Sequence, residues 1–254
     1  MELYSAPPSY YSMIARLALN ESNIEFNTHY MDIHIAKEQL APWYIALNRH
    51  MTVPTLTDAQ TKWTDSRDIL NYAAKHAGNA WYDSEPQFSP DIQKIVAAHY
   101  QIPIEKLTFG KVMVKHSLLH KLFPSMLKRI IKQLEKESQT DPEAVQKKIA
   151  VDEERLAYFS QGDQLKKLND RREEVREFIR QLPEPQSLLF GEKPSSADIV
   201  TSILFARLKM IDEDELIKVS PSLADWFNRM EQRPAFAKSD IWLRFKPWRI
   251  LLKY

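Results

Sequence analysis

Cysteine is absent from this 254-residue chain. Its absence excludes a disulfide framework, thiolate metal sites and a cysteine nucleophile, and it fits a reducing compartment. Glycine is scarce, with 4 residues against 15 prolines. Gly78, Gly110, Gly162 and Gly191 stand far from one another, so no glycine-rich phosphate loop can be assembled. An excess of either charge is lacking as well: 35 Lys+Arg against 34 Asp+Glu leave a net charge of +1. That balance supplies no global drive toward nucleic acid or anionic lipid, and no nucleic-acid partner is expected. No apolar run approaches the ~20 residues that a membrane-spanning helix needs. Met1-Glu2-Leu3-Tyr4 has neither the basic nor the apolar region of a secretory leader, so a cytoplasmic protein is expected. What remains is ordinary for a globular protein with a sizeable core: 44% hydrophobic and 27% charged residues.

The first 78 residues alternate short strand and helix patterns. Glu2 to Ser5 reads as a strand that ends at Pro7-Pro8. Ser9 caps a helix to about Asn20, with Met13, Ile14, Leu17 and Ala18 at helical spacing. Ile24 to Tyr30 reads as a strand and Lys37 to Leu47 as a helix. Val53–Thr57 and Lys62–Thr64 form a hairpin, and Asp65-Ser66 opens a helix with Ile69, Leu70, Ala73 and Ala74 on one face. The order βαβαββα implies a small mixed sheet with helices packed on it. Residues 79–90 are polar and proline-containing and read as a linker. Beyond them only helices are expected: 92–114 with an interruption at Pro103, and an amphipathic stretch of Leu118, Leu119, Leu122, Met126, Ile130 and Leu134 that Pro124 kinks or begins. A start at Thr140 or Asp141, a charged helix over 166–182, and helices over 195–210 and 222–232 complete the set. The division is therefore 1–78, a linker over 79–90, and an all-α domain over 91–254.

Four constellations can carry chemistry or set the fold. Met51-Thr52-Val53-Pro54-Thr55-Leu56 puts a proline near the start of a strand, where it removes a ladder donor. A cis Val53–Pro54 bond there frees the Val53 backbone to pair with a ligand; a trans bond leaves an edge strand that begins with proline. Asp65-Ser66 is a helix cap first, and its free N–H groups also suit a carboxylate. Ser9-Tyr10-Tyr11-Ser12 places hydroxyls at the start of the first helix. There a hydroxyl that donates to a thiolate lowers the thiol pKa, or else simply caps and packs. Gly191 … Ser195-Ser196-Ala197-Asp198 has capping-box spacing and reads as structural.

The ordered set Leu3-Tyr4, Ser9 to Ser12, Arg16 to Leu19, Leu47-Asn48, Val53 to Leu56, Asp65-Ser66 and Gly191 … Ser195-x-Ala197-Asp198 resembles the cytosolic glutathione transferase superfamily. Within it, residues 41–48 and the long helical stretch at about 115–165 resemble the ganglioside-induced differentiation-associated branch, which has an enlarged connection between two helices of its second domain. The resemblance implies a thioredoxin-like first domain, an all-α second domain, a homodimer, and a detoxifying transfer of glutathione to a small apolar electrophile. Val53, beside a cis Pro54, would pair its backbone with the cysteinyl part, and Thr52 would also bind glutathione. Ser66 would hold the γ-glutamyl carboxylate, and Asp65 would face the α-amino group. Ser9 would stabilise the thiolate, with Tyr11 and Ser12 as competing hydroxyls and Tyr4 a weaker one. Tyr10 stands where many relatives have proline or serine. Ile95, His99, Tyr100 and Phe109 would line the electrophile site or serve as ordinary core. The contending readings are a glutathione-binding module with little transferase activity that acts through a partner or membrane surface, and a scaffold with no ligand.

Among the 7 histidines, His116 and His120 are four apart without a third partner nearby, and no metal is expected. Residues 115–137 are rich in lysine. The tail 241–254 interleaves Arg244, Lys246, Arg249 and Lys253 with Trp242, Phe245, Trp248, Leu251 and Tyr254. A tail of that kind packs back on its domain or touches a membrane surface.

Overall fold

Leu3 and Leu56 alternate with polar neighbours in short extended runs, and burying such residues on one face requires a sheet. In the computed structural model, β1 (Glu2–Ser5) lies parallel to β2 (Asn27–Tyr30) and antiparallel to β3 (Thr55–Thr57), which pairs antiparallel with β4 (Lys62–Trp63). The strand order is β2-β1-β3-β4, with Glu2 opposite Asn27 and Leu3 opposite Leu56. Helix α1 (Tyr10–Glu21) makes the crossover between the parallel strands, and α3 (Ser66–Ala77) packs beside it. Leu3, Ile14, Leu17, Leu56, Ile69 and Leu70 are fully buried between sheet and helices. The structure describes residues 1–115, 117–136 and 139–252, without the side chains of 117–121.

The hairpin strands expected over 53–57 and 62–64 are cut to Thr55–Thr57 and Lys62–Trp63, and two further elements come out shorter for a local reason. The strand expected from Ile24 begins only at Asn27, because β1 offers four residues and its Glu2 pairs with Asn27. The helix expected from Lys37 to Leu47 is a 3₁₀ turn (Glu38–Leu40) followed by α2 (Pro42–Leu47). Pro42 holds Ala41 extended at φ −72, ψ 144, which breaks the helix there.

The chain clusters into two units. The first comprises residues 1–31, 53–102 and 174–254. It holds the sheet, α1, α3, α4 (Ser89–Gln101), the end of α8 (Gln164–Arg180), α9 (Ser196–Met210), α10 (Pro221–Glu231), α11 (Pro234–Lys238) and α12 (Pro247–Leu251). The 79–90 stretch belongs to this unit: Trp81 is buried, Tyr82 N–H donates to the Pro194 carbonyl at 3.0 Å, and Asp83 accepts from Ser196 N–H at 2.9 Å. Nearby, Gly191 has φ +137, and a Cβ there would run into the Tyr82 hydroxyl oxygen, so glycine is required. The capping box forms as expected, with Ser195 and Asp198 bonded reciprocally at the start of the almost wholly buried α9.

The second unit comprises residues 32–52 and 103–173. It holds α2, α5 (Ile104–Lys115), α6 (Ser117–Lys136), α7 (Pro142–Ser160) and the start of α8. Pro124 lies inside the continuous α6, and Asp141, not Thr140, caps α7 by accepting from Ala144 N–H. Leu40, Ile45, Met51, Leu134, Val145 and Ile149 form one core cluster, and Met113, Phe123, Leu127 and Phe159 another.

Arg16 fixes the turn that leads into α1. Its buried guanidinium donates to Ser5 Oγ (2.6 Å) and to the carbonyls of Ala6 (3.3 Å), Pro7 (2.9 Å), Ser239 (2.7 Å) and Asp240 (3.2 Å). Burial holds its pKa down to about 10, so it stays charged near neutral pH. Arg16→Met leaves those acceptors without a donor. At about 1–3 kcal/mol for each buried acceptor left unpaired, offset in part by relief of a buried charge, it is expected to cost about 3–5 kcal/mol, read from the midpoint and slope of urea unfolding.

Candidate functional site

Pro7 and Pro8 cannot extend β1, and Ser9 N–H closes a turn on the Ala6 carbonyl at 3.0 Å. Ser9 then takes the extended conformation of a helix cap (φ −68, ψ 125), and its Oγ accepts from Ser12 N–H at 3.4 Å. Capping engages the oxygen; the hydroxyl proton has no acceptor among the described residues. Ser9 is half-buried, so that proton can be donated to an incoming anion. Ser12 is fully buried, and its Oγ accepts from Ala6 N–H at 3.3 Å, which braces the same turn.

Tyr10 and Tyr11 meet His99 and Tyr100 of α4 in a square of four rings. Tyr10 stacks on His99 at 5.7 Å with planes 17° apart, and Tyr11 on Tyr100 at 6.2 Å with planes 6° apart. The neighbours within each helix are perpendicular, at 84° and 90°. The inner pair is buried, and the Tyr10 hydroxyl shares a 2.5 Å hydrogen bond with His99 Nε2. Burial pushes the Tyr10 phenol well above its ordinary value and the His99 imidazole down to about 3, so both are neutral at physiological pH. The Arg207 guanidinium lies 5.5 Å from the Tyr10 ring and donates to the Pro8 carbonyl at 2.7 Å, a second anchor for the Ser9 turn. Of the outer pair, Tyr11 is 37% exposed and Tyr100 half-buried.

Helix α3 supplies the other half. Asp65 caps it by accepting from Arg67 N–H at 2.7 Å and is exposed. Ser66 is buried at the first helical position, with its Oγ 3.0 Å from the Tyr100 hydroxyl. The Arg67 guanidinium lies 5.8 Å from the Tyr100 ring centre. Tyr100 therefore links the start of α1, through Tyr11, to the start of α3, through Ser66. Positive potential at both helix starts suits an anionic ligand.

The Val53–Pro54 peptide bond is cis. Val53 precedes β3, so its N–H and C=O lie outside the sheet ladder. Thr52 belongs to the second unit, where its carbonyl accepts from the Tyr44 hydroxyl (2.7 Å) and Asn48 Nδ2 (3.0 Å).

Of the residues expected to carry chemistry, the first unit thus holds Ser9, Tyr11, Val53, Pro54, Asp65 and Ser66, with Ser12 in a bracing position. Tyr4 stacks on His29 across β1 and β2. Phe109 packs with Phe123 and Phe159 in the second unit. Sequence reasoning offered His99 and Tyr100 as lining or as ordinary core. Their bonds to Tyr10 and Ser66 span 89 and 34 residues, and no local pattern announces such pairs. No group of three or more residues able to hold a metal exists among the described residues, and no described helix is long and apolar enough to cross a membrane. His116 and the tail residues Lys253 and Tyr254 lie outside the described residues, as does the side chain of His120.

The glutathione S-transferase N-terminal domain family model matches residues 3–81, and the glutathione S-transferase C-terminal domain model matches residues 117–234. The chain belongs to the glutathione transferase superfamily and has its fold, a thioredoxin-like mixed sheet followed by helices. It is 26% identical over 250 residues to the tetrachloro-p-hydroquinone reductive dehalogenase of Sphingobium chlorophenolicum, covering 97% of this chain and 98% of that one. It is 23% identical to the glutathione S-transferase TCHQD of Arabidopsis thaliana, over 98% of this chain and 92% of that one. A glutathione transferase family member from Pseudomonas fluorescens, solved with two glutathione molecules bound, matches with a TM-score of 0.66 at 15% identity, over 94% of this chain and 92% of that one.

Proposed function

We propose that the protein is a serine-type glutathione transferase. The observation that carries this reading is the uncommitted hydroxyl proton of Ser9 at the head of α1, on the same unit as Ser66 at the head of α3. Glutathione lies on the first unit, with its cysteinyl part on Val53 and Pro54. Its γ-glutamyl carboxylate rests on Ser66 and its α-amino group faces Asp65. Residues 79–90 lead to the helical domain of 91–254, and the resemblance of its 115–165 stretch supports reading the chain as nearest the ganglioside-induced differentiation-associated branch. The protein works as a cytoplasmic homodimer in detoxification.

Ser9 donates to the glutathione sulfur and favours the thiolate, which is only a few per cent of a free thiol at neutral pH. The thiolate forms a carbon–sulfur bond with the electrophile, the leaving group departs with its electron pair, and the thiol proton goes to solvent. The outer rings of Tyr11 and Tyr100 suit an apolar electrophile held beside the sulfur. The similarity to a reductive dehalogenase adds halogenated rings as substrates to test. With no cysteine in the chain, a reductive outcome needs a second glutathione: its thiolate attacks the conjugate's sulfur, glutathione disulfide forms, and the ring carbon takes a proton.

Calorimetric titration of reduced glutathione near neutral pH is expected to show saturable binding with proton release. Halide release from a chlorinated hydroquinone is then followed together with glutathione disulfide. No glutathione binding would reduce the family likeness to fold alone.

A second reading is favoured by the C-terminal segment. Phe245, Trp248, Leu251 and Leu252 are each more than half exposed beside Arg244, Lys246 and Arg249. That surface fits a partner or membrane surface met by a glutathione-binding module of little transferase activity. Binding of glutathione without turnover of any electrophile selects this reading.

A further inference from the structure

We infer that Tyr100 is a positioning residue for the carboxylate end of the thiol peptide: its phenol donates to Ser66 Oγ and leaves the Ser66 proton free for the ligand. The inference rests on the glutathione reading and adds a residue from α4 to a subsite otherwise built from α3. A serine hydroxyl has one proton and two lone pairs. If Ser66 donated to Tyr100, it would have no proton left for a carboxylate. The phenol is the better donor of the two. Burial holds Tyr100 well above the ordinary tyrosine range, so it remains neutral and keeps its proton. The Arg67 guanidinium, 5.8 Å from the ring centre, draws electron density from it and strengthens donation. Ser66 is 3% exposed, so few other groups can orient its hydroxyl, and the 3.0 Å contact with Tyr100 is its only side-chain hydrogen bond among the described residues. The Tyr100 ring in turn rests against Tyr11, which keeps the phenol from swinging away. A relay from Tyr100 to Ser66 to carboxylate is stronger than either bond alone, because each bond polarises the next.

The test is a thermodynamic cycle of wild type, Tyr100→Phe, Ser66→Ala and the double variant. Each is titrated with glutathione and with cysteinylglycine, which lacks the γ-glutamyl group. Tyr100→Phe keeps the ring and its stack. It is expected to weaken glutathione about ten-fold, the scale of one hydrogen bond to a charged group, and to leave cysteinylglycine unchanged. The double variant is expected to bind glutathione no more weakly than Ser66→Ala alone. Undiminished glutathione binding by Tyr100→Phe overturns the inference. So does an equal loss for cysteinylglycine, or independent, multiplying losses in the double variant. A wild type that binds no glutathione fails at the first titration, and there the glutathione reading itself falls.

Discussion

Replacing Ser9 with alanine is expected to cut turnover about ten- to thirty-fold near pH 7 and to leave it nearly unchanged at alkaline pH. A hydrogen bond to a charged group contributes about 1.5–3 kcal/mol, or roughly one to two units in the pKa of the bound thiol. Losing it moves the thiol back toward ~8.5, so the wild-type and variant profiles converge once both thiols are ionised. Proton release on glutathione binding falls in parallel. The variant also loses a helix cap, at a cost of about 1 kcal/mol, too little to unfold a domain of ordinary stability. The pH–rate profile separates the two effects, because a purely structural loss lowers the whole curve without shifting it. Tyr11→Phe is the paired control: Tyr11 is the other exposed hydroxyl of the group, and a shift seen there instead would transfer the role to it.

Removing Asp198 is expected to be the most destabilising single change in the capping box. Its Oδ1 accepts from Leu189 N–H (2.9 Å) and Trp226 Nε1–H (3.0 Å), and its Oδ2 from the Ser195 N–H (3.0 Å) and hydroxyl (2.6 Å). In Asp198→Ala these buried donors lose their partner at about 1–3 kcal/mol each, offset in part by relief of a buried charge. A net loss of about 3–5 kcal/mol at neutral pH follows. Burial raises the Asp198 pKa from 3.8 to about 6, against the hydrogen bonds that lower it. The folded state therefore binds the proton more tightly than the unfolded one. The stability it confers is fully present below about pH 4 and lost as pH rises through about 6. The gap between wild type and Asp198→Ala should consequently widen as pH falls from 7 to 5. Urea unfolding at the two values checks it, and a gap that narrows in acid would contradict the buried-carboxylate account.

The sequence by itself carried the parts that are local. Pro7-Pro8, Ser9, Asp65-Ser66 and Ser195-x-x-Asp198 are start and stop signals, and their physics is confined to a few residues of chain. Helices α1, α3 and α9 accordingly begin where those signals place them. The strand–helix–strand order and the all-helical remainder were legible from periodicity for the same reason. Element lengths were less so, because the length of β2 is set by its partner strand and the break before α2 by one proline. The order of the motifs also sufficed for the superfamily.

Tertiary structure decided the rest. Only packing shows that Ser12 is fully buried where it braces the turn while Ser9 is half-buried and can meet a ligand, since both are hydroxyls on one helix start that accept a backbone N–H. Only packing brings His99 and Tyr100 against Tyr10, Tyr11 and Ser66. Such long-range pairs leave no periodic trace, because either partner alone fits an ordinary core. They form only once the fold has removed both groups from water and left each the other's partner.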